Sequence, residues 1–497
     1  MEDGFILGID QSTQGTKALI FDEKGCLLFR SDRAHEQKIN EKGWVEHNPN
    51  EIYENTIQVV KDVVKKSGIS KDKIKAVGIS NQRETALVWD KATGKPIYNA
   101  IVWQCSRGEP ICKELEDAGM SQYIKDHSGL PLSPYFSAAK IAWILRNVDG
   151  ARKKSEYGLL CCGTIDSWLV YRLTNRTEFK TDYSNASRTQ LFDIEKLAWS
   201  NTICQAFGIN SECLARVCDS NAEYGFTDFD GFLETKIPIH AVFGDSHAAL
   251  YGQGCLEAGM IKATYGTGSS IMMNTGTRPV FTNQGIATSL AWSMDGMVHY
   301  VLEGNINYTG AVITWLQKDL GLITSPSETQ ELAKSANKKD RTYLVPAFTG
   351  LSAPYWDSEA TATLSGMTRI TKKAEIVRAA LECIAYQITD IVDVMSNAAK
   401  INVGELRVDG GPTKNDYLMQ FQSDLLHTNV YVPKEEELSG IGAAYAAGIA
   451  MGMYKKDTLF SKRKGLIFEP TMEIELVDEK KMGWREALFL ARTNKKC

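Results

Sequence analysis

The chain lacks any apolar run near the roughly 20 residues that a membrane span needs, so no membrane span is expected. Its opening, Met1-Glu-Asp-Gly4, has no basic leader and passes straight into an apolar strand, so a cytoplasmic location is expected. It also lacks an excess of positive charge: 56 Lys and Arg against 61 Asp and Glu leave a formal net charge of -5. A nucleic-acid groove would leave a basic footprint, so small-molecule partners are expected and nucleic acid is not. Paired cysteine spacing is missing too. Eleven cysteines are scattered from Cys26 to Cys497 with only Cys161 and Cys162 adjacent, which argues against a C-x-x-C zinc site and against a disulfide framework. Neither a G-x-x-x-x-G-K-[ST] loop nor a G-x-G-x-x-G turn opening a helix is present, which removes the P-loop and the Rossmann fingerprint. What is there is ordinary globular material, 43% hydrophobic and 24% charged over 497 residues, enough for two domains.

The pattern along the chain is α/β. Phe5–Asp10 and Thr16–Phe21 are short apolar runs joined by the polar, glycine-containing Gln11–Gly15, a hairpin whose tip offers backbone N–H groups. Cys26–Phe29 reads as a third strand. Asn50–Lys66 follows Pro49 with apolar residues at Tyr53, Ile57, Val60 and Val64, a helix, and Ile74–Ile79 returns as a strand. A second series repeats this order: strand Met260–Tyr265, turn Gly266–Gly268, strand Ser270–Asn274, helix Ala374–Lys400, strand Leu406–Asp409, and a helix through the small residues Ala443–Gly448. The repetition predicts a duplicated α/β domain with a cleft between copies.

Small-residue turns after apolar strands carry the chemical signal. Asp10-Gln-Ser-Thr-Gln-Gly15, Tyr265-Gly-Thr-Gly268 and Asp409-Gly-Gly411 each combine glycine, which lets backbone approach closely, with hydroxyl or amide donors. Such turns can cradle a polyphosphate. Asp10 and Asp245 are the carboxylates expected beside phosphate and metal, because magnesium favours one or two carboxylates together with waters and phosphate oxygens.

Several longer runs then resemble a known family. Gly43–His47, Ser80-Asn-Gln-Arg-Glu-Thr85, Pro96–Gln104, Thr181–Arg188, Pro346–Gly350 and Met419–Asp424 look like the FGGY carbohydrate kinases, and within them the glycerol kinases. Two family signatures also look intact, Tyr135–Ile144 and the stretch from Ala362 through Gly366 to Leu381-Glu382. The resemblance implies two actin-like, ribonuclease-H-like domains, with residues 1–250 binding the polyol and 251–497 the nucleotide, and an interdomain active-site cleft. It implies ATP and Mg2+ as cofactors and a small polyol as substrate, with Asp245 as general base. Arg83, Glu84, Tyr135, Asp245 and Ser246 would face the polyol hydroxyls, with Trp103 and Ser270 along its carbon chain. Thr13, Gln14, Gly15, Lys17 and Thr267 would lie by the transferring phosphates, and Gly310, Thr314, Gly411 and Asn415 along the nucleotide. A homo-oligomer is compatible with all of this.

The chemistry of these residue types agrees with the implied roles. A polyol hydroxyl has a very high pKa, so a carboxylate that accepts its proton during in-line transfer is useful. An Arg–Glu pair offers donors and acceptors together, as hydroxyls require. Some positions depart from the family pattern. Gly244-Asp-Ser-His247 stands where Gly-Asp-Gln-Gln is usual, Ser270 where an aromatic is usual, and Gln14-Gly15-Thr16 with Lys17 where Thr/Ser and Arg are common. Thr314 stands where Gln is common, and His247 is a further candidate hydroxyl ligand. The loop Asp230–Thr235 carries Phe and Glu where some bacterial members bind fructose 1,6-bisphosphate with glycines and lysine. Glycerol is therefore the first expected substrate and a longer polyol or sugar the second. A silent ATP-binding module is the third reading, disfavoured by retention of Asp10, Arg83, Glu84 and Asp245 together.

Overall fold

The computed structural model describes residues 4–461 and 464–493. In the first half the strands are β1 (Phe5–Gln11), β2 (Gly15–Phe21), β3 (Leu27–Ala34), then helix α1 (Pro49–Ser67), β4 (Ile74–Asn81), β5 (Gly225–Thr227), β6 (Ile237–Gly244) and helix α2 (Asp245–Gly252). In the second half they are β7 (Met260–Tyr265), β8 (Ser269–Gly276), β9 (Ala287–Met294), β10 (Met297–Ile306), helix α3 (Lys373–Ala399), β11 (Glu405–Asp409), helix α4 (Asp416–Leu426), β12 (Val430–Pro433), helix α5 (Leu438–Ala450), β13 (Gly465–Phe468) and helix α6 (Ile474–Thr493). The first sheet has six strands in the order β5-β6-β4-β1-β2-β3, the second seven in the order β9-β10-β8-β7-β11-β12-β13.

The repeat seen in the sequence is real at the level of pairing. β1 runs antiparallel to β2 and parallel to β4, and β7 runs antiparallel to β8 and parallel to β11. The second copy differs from the expected order by the hairpin β9–β10 between β8 and the long helix. A five-stranded accessory sheet (Lys38–Ile39, Val45–His47, Ala100–Ile101, Ala86–Asp90, Leu160–Thr164) was likewise not legible. Most of its strands are two or three residues long, too short to show a period.

Local chemistry accounts for the elements that frame the cleft. The Asn48 side chain accepts from Asn50 N, Pro49 opens α1, and Gly68 closes it in the left-handed region at φ 67°, as N- and C-cap preferences require. The small residues of α5 serve contact. A Cβ on Gly78 of β4 would lie 2.2 Å from the Ala443 carbonyl oxygen, and one on Gly442 1.9 Å from the Ala248 oxygen. Helix α5 of the second half is thereby pressed onto the first sheet and α2. Residues of both halves, among them Phe21, Phe243, Leu250, Met272, Trp292 and Ala444, form one apolar cluster at this junction. Residue 250 lies inside the last turn of α2, which ends at Gly252. Among the described residues no helix is long and apolar enough to cross a membrane.

The C-terminal helix α6 docks through Trp484, whose ring stacks on Tyr386 at 5.1 Å and whose Nε1 donates to Asp390 at 2.7 Å. Burial pushes the Asp390 carboxyl from 3.8 up to about 7. Because the folded value lies above the unfolded one, the associated stability is complete below about pH 4 and is lost as pH rises through 7. Asp390→Asn is therefore expected to melt higher than the parent protein at pH 8, with an upper bound of roughly 4 kcal/mol, and the gap should close toward pH 5. Thermal melts of both proteins from pH 5 to 8 check this; a gap that ignores pH would sink it.

Candidate active site

Three chain segments converge at the cleft. The loop after β4 brings Arg83 and Glu84, the start of α2 brings Asp245 and Ser246, and β10 of the second sheet brings Glu303. Arg83 Nε donates to Asp245 Oδ1 at 3.1 Å and Nη2 to Ser246 Oγ at 3.1 Å. Nη1 and Nη2 donate to Glu303 Oε2 and Oε1 at 2.9 and 3.1 Å. Arg188 Nε donates to Glu84 Oε1 at 2.6 Å. Its Nη1 lies 3.0 Å from Glu303 Oε2, a charge contact whose direction does not make it a hydrogen bond. Arg83, Glu84, Arg188 and Glu303 are buried, while Asp245 and Ser246 are partly exposed. Although burial opposes its ionisation, Arg188 and Arg83 hold the Glu303 carboxyl far below the usual range. Glu84 has φ 60°, a left-handed conformation that a non-glycine residue holds at a cost of order 1–3 kcal/mol and that clusters at functional sites.

Arg83 and Arg188 balance Glu84 and Glu303, which leaves Asp245 and Asp10 as the excess charge. Asp10 lies one residue before the end of β1, accepts from Ser80 Oγ at 2.7 Å, and is pushed by burial from 3.8 up to about 6, so it is anionic at neutral pH. Asp245 Oδ1 takes both Arg83 Nε and its neighbour Ser246 N (2.6 Å), while Oδ2 has no hydrogen bond among the described residues. It opens α2, where the helix dipole favours an anion.

Trp103 and Tyr135 pack 5.5 Å apart beside this cluster, and Trp103 Nε1 donates to Thr13 Oγ1 at 3.0 Å. Thr13 sits in the β1–β2 hairpin, pinned by Ser12 N to Gly15 O (2.8 Å) and by His35 Nε2 on the Thr13 carbonyl oxygen (3.0 Å). A Cβ on Gly15 would meet the Arg33 oxygen at 2.4 Å, so that position admits only glycine. Gln14 is exposed at the tip, and Lys17 is ion-paired with Glu437 at 2.6 Å, a residue at the start of α5. Across the cleft, Gly310 N donates to Gly266 O (2.9 Å) and Ala311 N to Thr267 O (3.1 Å), joining the β7–β8 turn to the helix Gly310–Thr314. A Cβ on Gly310 would stand 2.8 Å from Gly266 O, and one on Gly410 2.0 Å from Tyr265 O. Thr267, Gly310, Thr314 and Gly411 thus share one rim. Asn415 lies beside it but caps α4, accepting from Leu418 N and donating to Thr329 Oγ1.

The structure therefore brings the expected residues together on two faces, with Arg83, Glu84, Asp245, Ser246, Trp103 and Tyr135 on one and the glycine turns on the other. Ser270 lies on β8, opposite Asn305 of β10. His247 does not line the opening: it is fully buried, with Nε2 near Ser289 Oγ at 3.4 Å, and burial keeps it neutral. Sequence reasoning missed Glu303 and the role of Arg188. The available signal was a lone carboxylate in the apolar strand Tyr300-Val-Leu-Glu-Gly304, since a charge in a buried strand requires partners.

Residues 5–252 match the N-terminal domain and residues 261–451 the C-terminal domain of the "FGGY family of carbohydrate kinases". The chain belongs to this family. The kinase is 45% identical over 486 residues to glycerol kinase 2 of Thermotoga maritima, covering 97% of this chain and 98% of that one. It is 44% identical over 499 residues to glycerol kinase of Oceanobacillus iheyensis, covering 100% and 99%. Among solved structures it is similar to Plasmodium falciparum glycerol kinase with ADP, at 36% identity and a TM-score of 0.94 over 98% of both chains. The expected architecture of two α/β kinase domains holds.

Proposed function

We propose that this kinase transfers the terminal phosphoryl group of ATP to a hydroxyl of glycerol, giving glycerol 3-phosphate. The observation that carries the reading is Asp245, whose Oδ1 is fixed by Arg83 and Ser246 while Oδ2 is free to accept a proton. The likeness to glycerol kinases over nearly the whole chain supports the choice of substrate. The hydroxyl would sit between Asp245 and the phosphate turns, with Arg83 and Glu84 on its neighbours and Trp103 against the carbon chain. Thr13, Gln14, Gly15, Lys17 and Thr267 would hold the phosphates, and Gly310, Thr314, Gly411 and Asn415 the nucleotide, dividing the work between residues 1–250 and 251–497.

Magnesium fits the carboxylates present. Asp10 and Asp245 are the carboxylates that would face it, Asp245 through the Oδ2 that Arg83 and Ser246 leave open, as suits an ion held by one or two carboxylates and completed by phosphate oxygens and water. Bound there, the ion would neutralise charge building on the phosphates. Formation of ADP that requires both ATP and glycerol tests the proposal; no glycerol-dependent turnover would end it.

Regulation by fructose 1,6-bisphosphate is not expected. Asp230 Oδ1 accepts from Tyr53 OH at 2.6 Å, Asp228 Oδ1 takes Gly231 N at 2.9 Å, and the Phe232 ring lies under Lys71 at 4.2 Å. The loop is occupied by its own contacts and presents carboxylates, which repel phosphate. Turnover measured with millimolar sugar bisphosphate should be unchanged, and clear inhibition would refute this.

A further inference from the structure

Glu303 is not among the residues assigned to substrate, phosphate or nucleotide, yet it grips Arg83 and touches Arg188. It comes from β10 of the second sheet, whereas Arg83 and Arg188 come from the first half of the chain. Arg83 has five N–H groups, and four are assigned: one to Asp245, one to Ser246 and two to Glu303. The bidentate grip of Glu303 fixes the plane of the guanidinium. That plane directs Nε at the proposed base and leaves one N–H on Nη1 for a ligand hydroxyl.

Burying such a cluster is a poor way to gain stability, because desolvating each ion costs several kcal/mol and an apolar replacement of similar volume is often as stable. A positional role accounts for it better. Four residues beyond Glu303 come Asn307 to Gly310, and Thr309 N bonds Thr267 O at 2.9 Å. The strand β10 and the turn that follows it thus tie the arginine beside the proposed base to the rim assigned to phosphate.

Resting on the proposed kinase reaction, we infer that Glu303 is a positioning residue that fixes Arg83, and through it Asp245, relative to the nucleotide face. Glu303→Gln keeps the shape and withdraws the charge. The expected result is a fall in kcat/KM for glycerol of about 10²-fold, the size associated with displacing a reacting group by 1 Å. ATP affinity measured by calorimetry without glycerol should stay within about 3-fold, since no nucleotide contact is lost. Val301→Ala, on the same strand and buried at the domain junction, serves as the structural control and should lower the melting temperature without this split. Glu303→Asp, which retains the charge but draws it back by one methylene, should recover part of the activity, and it decides by the same split if Glu303→Gln does not fold.

The inference is overturned if Glu303→Gln keeps kcat/KM within about 3-fold of the parent, or if glycerol turnover and ATP affinity fall in parallel as a structural role would produce. A parent protein that does not phosphorylate glycerol would instead refute the proposed function.

Discussion

Asp245→Asn is expected to lower kcat by at least about 10²-fold while leaving ATP affinity nearly unchanged. The substitution is nearly isosteric, and the Asn oxygen can keep the Oδ1 contacts with Arg83 Nε and Ser246 N. Only the Oδ2 position changes, from a free acceptor to an N–H2 donor that cannot take a proton. A hydroxyl placed there would meet a donor instead of a base. Loss of the charge also removes an anion from the start of α2, where the helix dipole favours it by up to about 1 kcal/mol, a small effect beside the catalytic one. Steady-state kinetics with calorimetric ATP binding separates the two. A variant with near-normal kcat would remove Asp245 from the role of base.

The frame of the molecule was legible because it is built from long, locally consistent signals. β1, β2, α1, β4, β7, β8, α3 and β11 all stand within a few residues of where apolar runs, Pro49 and glycine turns put them. The doubled order of elements became doubled sheet pairing. β9 and β10 were not seen, since Ser289, Trp292 and His299 blur the alternation of residues buried on both faces.

The site was legible where motif residues are neighbours in sequence, as with Arg83-Glu84 and Asp245-Ser246. It was not legible where one charge answers another across 220 positions, as Glu303 answers Arg83, because no local pattern records a partner on another sheet. His247 stands beside Asp245 and Ser246 in sequence but points into the core. The first turn of α2 sends residues 245 and 247 in different directions, so adjacency misled.

Glycerol is expected to be accepted with less selectivity than in relatives whose pocket carries an aromatic at the Ser270 position, and C4 or C5 polyols should also be phosphorylated. The cross-strand register places Ser270 opposite both Thr264 and Asn305, one same-face step along from Met272 and Glu303. Directly opposite residues share a face, so Ser270 and Asn305 lie on the face from which Glu303 reaches Arg83, between that contact and the Gly266–Gly268 turn. The Ser270 hydroxyl is buried without a hydrogen-bond partner, a condition that costs about 1–3 kcal/mol, and Asn305 is exposed. A three-carbon ligand would leave these groups unanswered and would lack the apolar contact of an aromatic wall, worth roughly 1–3 kcal/mol. An additional hydroxyl on a fourth carbon could answer Ser270 or Asn305. Ser270→Phe should then narrow the enzyme toward glycerol, raising its kcat/KM relative to the longer polyols by about 10-fold or more, the equivalent of 1.4 kcal/mol. The measurement is kcat/KM for glycerol, tetritols and pentitols in both proteins. If the parent already prefers glycerol over every longer polyol by more than about 100-fold, roughly 2.7 kcal/mol, the pocket is closed to a fourth carbon and the role given to Ser270 is wrong.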